Sequence, residues 1–205
     1  KYLLGEVWED ATNKWSYGRR STYLLGKGLD AVMNYPFKEA AIGFAKGEDT
    51  RSVAERIVRI CENYPAPALN TVMNFLSTHD TVRAITAMAG ESCEGRDRYW
   101  QSGRRLTPDQ YERGRRMLVM GYALIFTLPG IPSIYYGDEI GMQGYKDPFN
   151  RAFFDWDSTE NRIRPALRRL AALRKSCSAF ADGDFRLLRA QDGVLEFERR
   201  GSGAA

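Results

Sequence analysis

Apolar residues recur along this chain in two rhythms. Short apolar runs at residues 2–5, 29–33, 71–76 and 133–136 each give way at once to polar or aromatic residues, as buried strands do where they leave a sheet. Between and after these runs the spacing is helical. Residues 37–45 have helical composition, and Pro36 marks the end of the preceding strand at Tyr35. Val53, Ile57 and Cys61 follow every fourth position, and Ser52 with Glu55 three residues on forms a capping-box pattern, so a helix is expected there, stopping before Pro65. A second cap, Thr107-Pro108-Asp109-Gln110, opens a helix with Met117, Leu118, Gly121, Tyr122 and Ile125 on its apolar stripe and Pro129-Gly130 at its end. A further helix is expected from Pro165, with Leu167, Leu170, Ala171 and Leu173 on one face. Residues 11–28 read as a loop or a short helix, and residues 88–106 as a polar loop.

After residue 183 the period changes to two. Phe185 and Leu187 alternate with Arg186, Gln191-Asp192-Gly193 turns the chain, and Leu195 and Phe197 alternate with Glu196 and Glu198. This predicts an antiparallel hairpin. Strand followed by helix four times over predicts an α/β fold with a parallel sheet and helices outside it. Polar clusters at the strand ends fit the working face of a (β/α)8 TIM barrel, and four units make half of one. The expected organisation is half of a catalytic barrel over residues 1–180, the start of a C-terminal β domain over 181–200, and a linker-like tail over 201–205.

Composition changes this picture little. The 205 residues are 43% hydrophobic and 12% aromatic, enough for a sizeable core. The net charge of +4 raises the question of nucleic acid, but Lys and Arg are scattered among Asp and Glu with no basic block. No nucleic-acid partner is expected, and no membrane partner either, since no run nears the ~18 apolar residues of a membrane span. Cys61, Cys93 and Cys177 are odd in number and far apart, which suits neither a zinc site nor a disulfide framework and points to reduced thiols in a cytoplasmic protein. Lys1-Tyr2-Leu3-Leu4-Gly5 opens directly into an apolar run, so a piece of a longer protein is expected and the lack of a leader carries no information.

The candidate chemistry lies at two strand ends. Asn74-Phe75-Leu76-Ser77-Thr78-His79-Asp80 places the one histidine of the chain beside a carboxylate. Gly5-Glu6-Val7-Trp8 places a second carboxylate beside an aromatic wall, and burial against such a wall favours the protonated form of an acid. Two carboxyl groups in different surroundings are what acid/base work on a glycosidic bond needs, and aromatic rings stack on sugar faces. Taken alone, a single His such as His79 is more often a surface or satisfied core residue than a catalyst, and Glu6 reads at least as readily as a helix cap.

Together these residues resemble the α-amylase family of glycoside hydrolases. Gly5-Glu6-Val7-Trp8, Ser77-Thr78-His79-Asp80 and the run Leu128-Pro129-Gly130-Ile131-Pro132-Ser133-Ile134-Tyr135-Tyr136-Gly137-Asp138-Glu139 are similar to consecutive segments of that family. Asp30-Ala31-Val32-Met33-Asn34-Tyr35-Pro36, with Lys146-Asp147-Pro148-Phe149-Asn150-Arg151 and Trp156-Asp157, resembles its cyclomaltodextrinase, neopullulanase and maltogenic amylase branch. The resemblance implies a retaining hydrolase of α-glucosidic bonds. Glu6 would be the general acid/base at the end of the fifth barrel strand, and Asp80 the second carboxylate that clamps the reacting sugar's hydroxyls at the end of the seventh. His79 would bond the same sugar, Trp8 would flank the leaving group, Asp147 and Arg151 would contact sugars further along, and Tyr35 would line the cleft. Asp138 and Glu139 belong to a segment better read as structural.

The departures are as informative. The family's nucleophile is an Asp at the end of the fourth strand, and nothing in this sequence corresponds to that strand or to the three before it. Thr78 stands where most members have Asn. No cofactor is expected; calcium would belong to segments outside this sequence. The implied partners are an α-glucan oligosaccharide and either the missing barrel half or a second copy of the chain as a homodimer. Two other classes compete. One is a non-catalytic fragment that only folds or associates. The other is a phosphate-handling barrel enzyme, against which Gly137-Asp138-Glu139-Ile140-Gly141 sets two acids where phosphate would bind.

Overall fold

The computed structural model describes residues 1–26, 28–158 and 162–201; residues 202–205 of the expected tail lie outside it. In chain order the elements are β1 (Leu4–Gly5), β2 (Trp15–Ser16), β3 (Arg19–Arg20), β4 (Ala31–Val32), α1 (Tyr35–Lys46), α2 (Thr50–Asn63), α3 (Ala66–Leu69) and β5 (Met73–Asn74). Then follow α4 (Ala84–Ala89), α5 (Arg98–Gly103), α6 (Pro108–Thr127), β6 (Ile131–Pro132), α7 (Ile163–Ser176), α8 (Ala179–Asp182), β7 (Asp184–Gln191) and β8 (Val194–Arg200).

Four very short strands run parallel and side by side in sequence order. β1 pairs with β4, a bridge from Met33 to Met73 continues the ladder into β5, and β5 pairs with β6. The Ser133 amide extends the last ladder by donating to the Asn74 carbonyl at 2.7 Å. A relay of buried amides ties three strand ends together. Asn34 Nδ2 donates to Asn74 Oδ1 at 3.0 Å, and Asn74 Nδ2 donates to the Pro129 carbonyl at 2.7 Å. Both side chains are fully buried, where an unpaired amide costs free energy, so the relay holds the strands in one register.

The apolar faces of α1, α2, α4, α6 and α7 close over this strip. Phe37, Val53, Ile57, Ile85, Leu118, Tyr122, Ile125 and Leu167 belong to one continuous core. At the α4–α6 crossing a Cβ on Gly114 would lie 2.8 Å from Ala89 Cβ, so glycine there lets the two helices approach. The capping box expected at Thr107 is present in full, with Gln110 as the reciprocal partner.

Several expected boundaries move. The cap of α2 is Asp49, whose carboxylate accepts from the Ser52 amide at 3.0 Å, so Ser52 lies inside the helix and not at its start. Helix α1 begins at Tyr35, before Pro36, because Asn34 caps it and proline in a first turn forfeits no hydrogen bond. The fourth parallel strand is Ile131–Pro132 and not 133–136, which the chain uses to leave the sheet. Residues 11–28 contain a small hairpin, β2–β3, turned by Tyr17 and Gly18 at positive φ. The expected loop 88–106 contains α5.

The predicted terminal hairpin forms, turned by Asp192 and Gly193 with φ of 54° and 75°. It packs onto the helices. The Gly193 amide donates to Thr50 Oγ1 at 3.1 Å, and Arg199 donates to the Thr127 carbonyl at 2.9 Å. Arg174 of α7 donates to the Phe126 carbonyl at 2.7 Å. Two guanidinium groups thus satisfy carbonyls left open at the C-terminus of α6, where a helix favours positive charge.

Candidate active site

Glu6 leaves the end of β1 and remains exposed. Its Oε1 accepts a hydrogen bond of 2.7 Å from the Tyr35 hydroxyl. Tyr35, in the first turn of α1, is only 1% exposed, and its ring packs edge-on to Phe75 beside β5. The Trp8 ring stacks on the other side of Tyr35 at 4.2 Å between centroids. The aromatic wall expected beside Glu6 therefore reaches that carboxylate through Tyr35. Burial raises the Tyr35 phenol above its ordinary pKa; the bond to Glu6 and the charges of Glu6 and Asp80 add to this, and a bond with Thr78 opposes it. Both carboxylates singled out in the sequence thus act on one phenol.

Asp80 lies in the loop after β5, and its carboxylate is shared. Arg151 donates to its Oδ1 at 3.0 Å, and His79 Nε2 lies 3.4 Å from its Oδ2. Arg151 also pairs with Asp147 at 2.6 Å and donates to the His79 carbonyl at 3.0 Å. The structure therefore joins Asp147, Arg151, His79 and Asp80 in one partly exposed cluster. The Thr78 hydroxyl accepts from the Asp80 amide at 3.2 Å, so the residue that departs from the family pattern shapes the loop.

Beneath this cluster lies a second, fully buried one. Asp138, 1% exposed, accepts from Tyr122 at 2.7 Å and from Ser77 at 3.0 Å, and lies 3.4 Å from the guanidinium of Arg83. Arg83 also donates to the Tyr136 carbonyl and lies over the Tyr135 and Tyr136 rings. Burial pushes the Asp138 carboxyl up to about 6, against the opposing pull of its Tyr122, Ser77 and Arg83 partners.

Sequence reasoning passed over Arg83 and Asn150. Asn150 is fully buried between Asp147 and the loop of residues 78–81. Arg83 could have been suspected from a lone cation directly before the apolar Ala84-Ile85; Asn150 gave no signal beyond its place in a motif. Among the described residues no three His, Cys, Asp or Glu side chains converge to hold a metal. Among them, too, no helix is long and apolar enough to cross a membrane.

Comparison with known proteins fits this geometry. Residues 1–178 match the family described as Alpha amylase, catalytic domain. The chain is 30% identical over 210 residues to an amylopullulanase of Thermoanaerobacterium thermosulfurigenes, a match covering 97% of this chain and 10% of that protein. It is 32% identical over 197 residues to a cyclomaltodextrinase of Geobacillus thermopakistaniensis (strain MAS1), covering 94% of this chain and 28% of the relative. Among solved structures, the cyclic alpha-maltosyl-(1→6)-maltose hydrolase from Arthrobacter globiformis in complex with that sugar superposes with a TM-score of 0.76 at 28% identity, over 98% of this chain and 39% of the other. The type III pullulan hydrolase from Thermococcus kodakarensis superposes with a TM-score of 0.79 at 25% identity, over 98% of this chain and 32% of the other.

Proposed function

This chain belongs to the α-amylase family of glycoside hydrolases, and from that premise we propose that it carries the acid/base half of a retaining α-glucan hydrolase. One observation supports the reading above others: Glu6 follows β1 and Asp80 follows β5 in one run of parallel strands, and Tyr35, after the strand between them, bonds Glu6, so two carboxylates leave the sheet at the same end of its strands. Glu6 is the proton donor to the leaving oxygen and later the base that activates water. Its exposed carboxylate can reach a ligand, and the Tyr35 hydroxyl fixes the direction of one oxygen. Asp80 and His79 hold the hydroxyls of the reacting sugar, and charge developing on the ring in the transition state strengthens the contribution of Asp80. Trp8, half-exposed and stacked on Tyr35, offers a face to the leaving-group side. Asp147 and Arg151 meet sugars further along. The substrate class is an α-glucan oligosaccharide or cyclodextrin.

A retaining mechanism needs a second carboxylate as nucleophile, placed on the opposite face of the sugar from the acid. We assign it to barrel strands outside this sequence, as the family pattern requires. The chain spans 10% to 28% of the length of the two curated relatives above, which favours a part of a larger catalytic unit over a complete one. The sheet edges favour the same view. Tyr2, Leu3 and Leu4 on the β1 side and Ile131 and Ile134 on the β6 side are each between 38% and 49% exposed. Such edges invite pairing, either with the complementary barrel half or with a second copy of the chain.

The test compares the 205-residue chain with an assembled barrel carrying it. The chain by itself is expected to leave maltooligosaccharides and cyclodextrins intact and to be dimeric by light scattering at micromolar concentration. The assembled barrel is expected to hydrolyse them, and Glu6→Gln there to lose about 10²–10⁴-fold in kcat, the usual contribution of general acid catalysis. Turnover by the chain alone, or a Glu6→Gln loss below about tenfold, would remove the assignment.

A further inference from the structure

The loop that presents His79 and Asp80 has no regular secondary structure, and its main chain needs partners from elsewhere. Within the loop, the Thr78 amide donates to Thr81 Oγ1 at 3.0 Å and the Asp80 amide to Thr78 Oγ1 at 3.2 Å. These bonds satisfy amides and leave carbonyls open. The Thr78 carbonyl accepts from the Thr81 amide at 3.4 Å and the His79 carbonyl from Arg151 Nε at 3.0 Å, and the Asn150 carboxamide supplies the remaining donors. Its Nδ2 lies 2.7 Å from the His79 carbonyl oxygen, 2.8 Å from that of Thr81 and 3.4 Å from that of Thr78. One amide nitrogen has two hydrogens, so the two short contacts are the full hydrogen bonds. Asn150 Oδ1 is buried and has no hydrogen-bond partner among the described residues. The side chain is therefore used as a donor alone, and the loop's carbonyls set the demand for it.

Asn150 is itself held rigidly. Its backbone carbonyl accepts from Arg83 Nε at 2.9 Å, and Arg83 is anchored by Asp138. The next residue, Arg151, grips the Asp80 carboxylate at 3.0 Å. One short turn thus holds the main chain of the loop through residues 150 and 151, and its carboxylate through residue 151.

We propose that Asn150 is a positioning residue: its buried carboxamide sets the main-chain position of His79 and Thr81, and through them where the Asp80 carboxylate meets the sugar. The role rests on the assignment of Asp80 made above. A shift of about 1 Å in a positioned group can cost ~10²-fold in rate even when the altered residue never touches substrate.

The test uses the assembled hydrolase, well below its melting temperature. Asn150→Ala is expected to lower kcat by about 10- to 100-fold while KM moves by less than about threefold. Asn150→Ser, which keeps one donor, is expected to fall between Ala and the natural residue, and it carries the test if Asn150→Ala does not fold. Leu167→Ala, in the core of α7, is the control that lowers the melting temperature with kcat unchanged. Hydrogen exchange gives a readout independent of catalysis: amides of residues 78–82 lose protection in the Asn150 variants while the helices keep theirs. Unchanged exchange there, or a kcat within twofold of the natural protein, would overturn the proposal. If the loop loosens but Asp80→Asn retains full kcat, the assignment of Asp80 has failed, and the positioning role goes with it.

Discussion

Two of the clusters that pair an acid with an arginine in this molecule, one around Asp80 and one around Asp138, differ sharply in their surroundings. Asp80 with Arg151 and Asp147 is open to solvent, with side chains between 37% and 52% exposed. Asp138 with Arg83 lies beneath it, at no more than 1% exposure, surrounded by Tyr122, Ser77 and two tyrosine rings. An exposed pair contributes little to stability and leaves lone pairs and protons free for a ligand. The buried pair has spent most of them, with Arg83 Nη2 alone of its guanidinium nitrogens left without a hydrogen-bond partner among the described residues, and removing one partner strands the other. The same chemical pair is therefore open to solvent in one place, where we propose that it binds sugar, and an anchor in the other. The anchor is joined to the surface through Asn150.

The largest expected effect on stability tests the anchor. Arg83→Met leaves the Asp138 carboxylate buried without its cation and should cost about 3–5 kcal/mol, a large share of the ~5–15 kcal/mol that holds an ordinary domain folded. Chemical denaturation measures it; a loss below about 1 kcal/mol would mean the two clusters do not differ as described.

Next comes the surface. In the assembled hydrolase, Asp80→Asn should lower kcat rather than merely raise KM, and His79→Ala should do less, since it removes a hydrogen bond and not a charge. Steady-state kinetics on both variants settles the order. A larger defect at His79 would exchange their roles.

A smaller effect separates the clusters by pH. Burial raises the Asp138 carboxyl from 3.8 to about 6. The folded state then binds a proton more tightly than the unfolded one. The resulting stabilisation is fully present below pH 3.8 and is lost as pH rises through about 6. Relative to Asp138→Asn, the melting temperature should climb as pH falls across that window. A pH-independent difference between the two proteins would place the titration elsewhere.

The smallest effect is at the rim. Asp147→Asn breaks an exposed pair with Arg151 and should change stability by less than ~1 kcal/mol, while weakening affinity for longer oligosaccharides more than for short ones. Calorimetric titration with a chain-length series reads both.

Sequence alone determined the elements whose physics is local. The capping box at Thr107, the turn at Asp192-Gly193 and the helical stripe from Val53 to Cys61 each need only neighbours within a few positions, and each formed. The two strand ends bearing Glu6 and His79-Asp80 were legible because polar residues after a buried run are costly anywhere but at an opening. The tertiary structure decided what depends on residues far apart in the chain. The cap of α2 moved to Asp49 because two residues compete for one role and local preference does not rank them. The fourth strand shifted to Ile131–Pro132 because register is set by a neighbour some 58 residues away, at Met73 and Asn74. Arg83 and Asn150 were invisible for the same reason. A charged or amide side chain goes fully into a core only where distant groups complete its hydrogen bonds, and no local pattern records those groups.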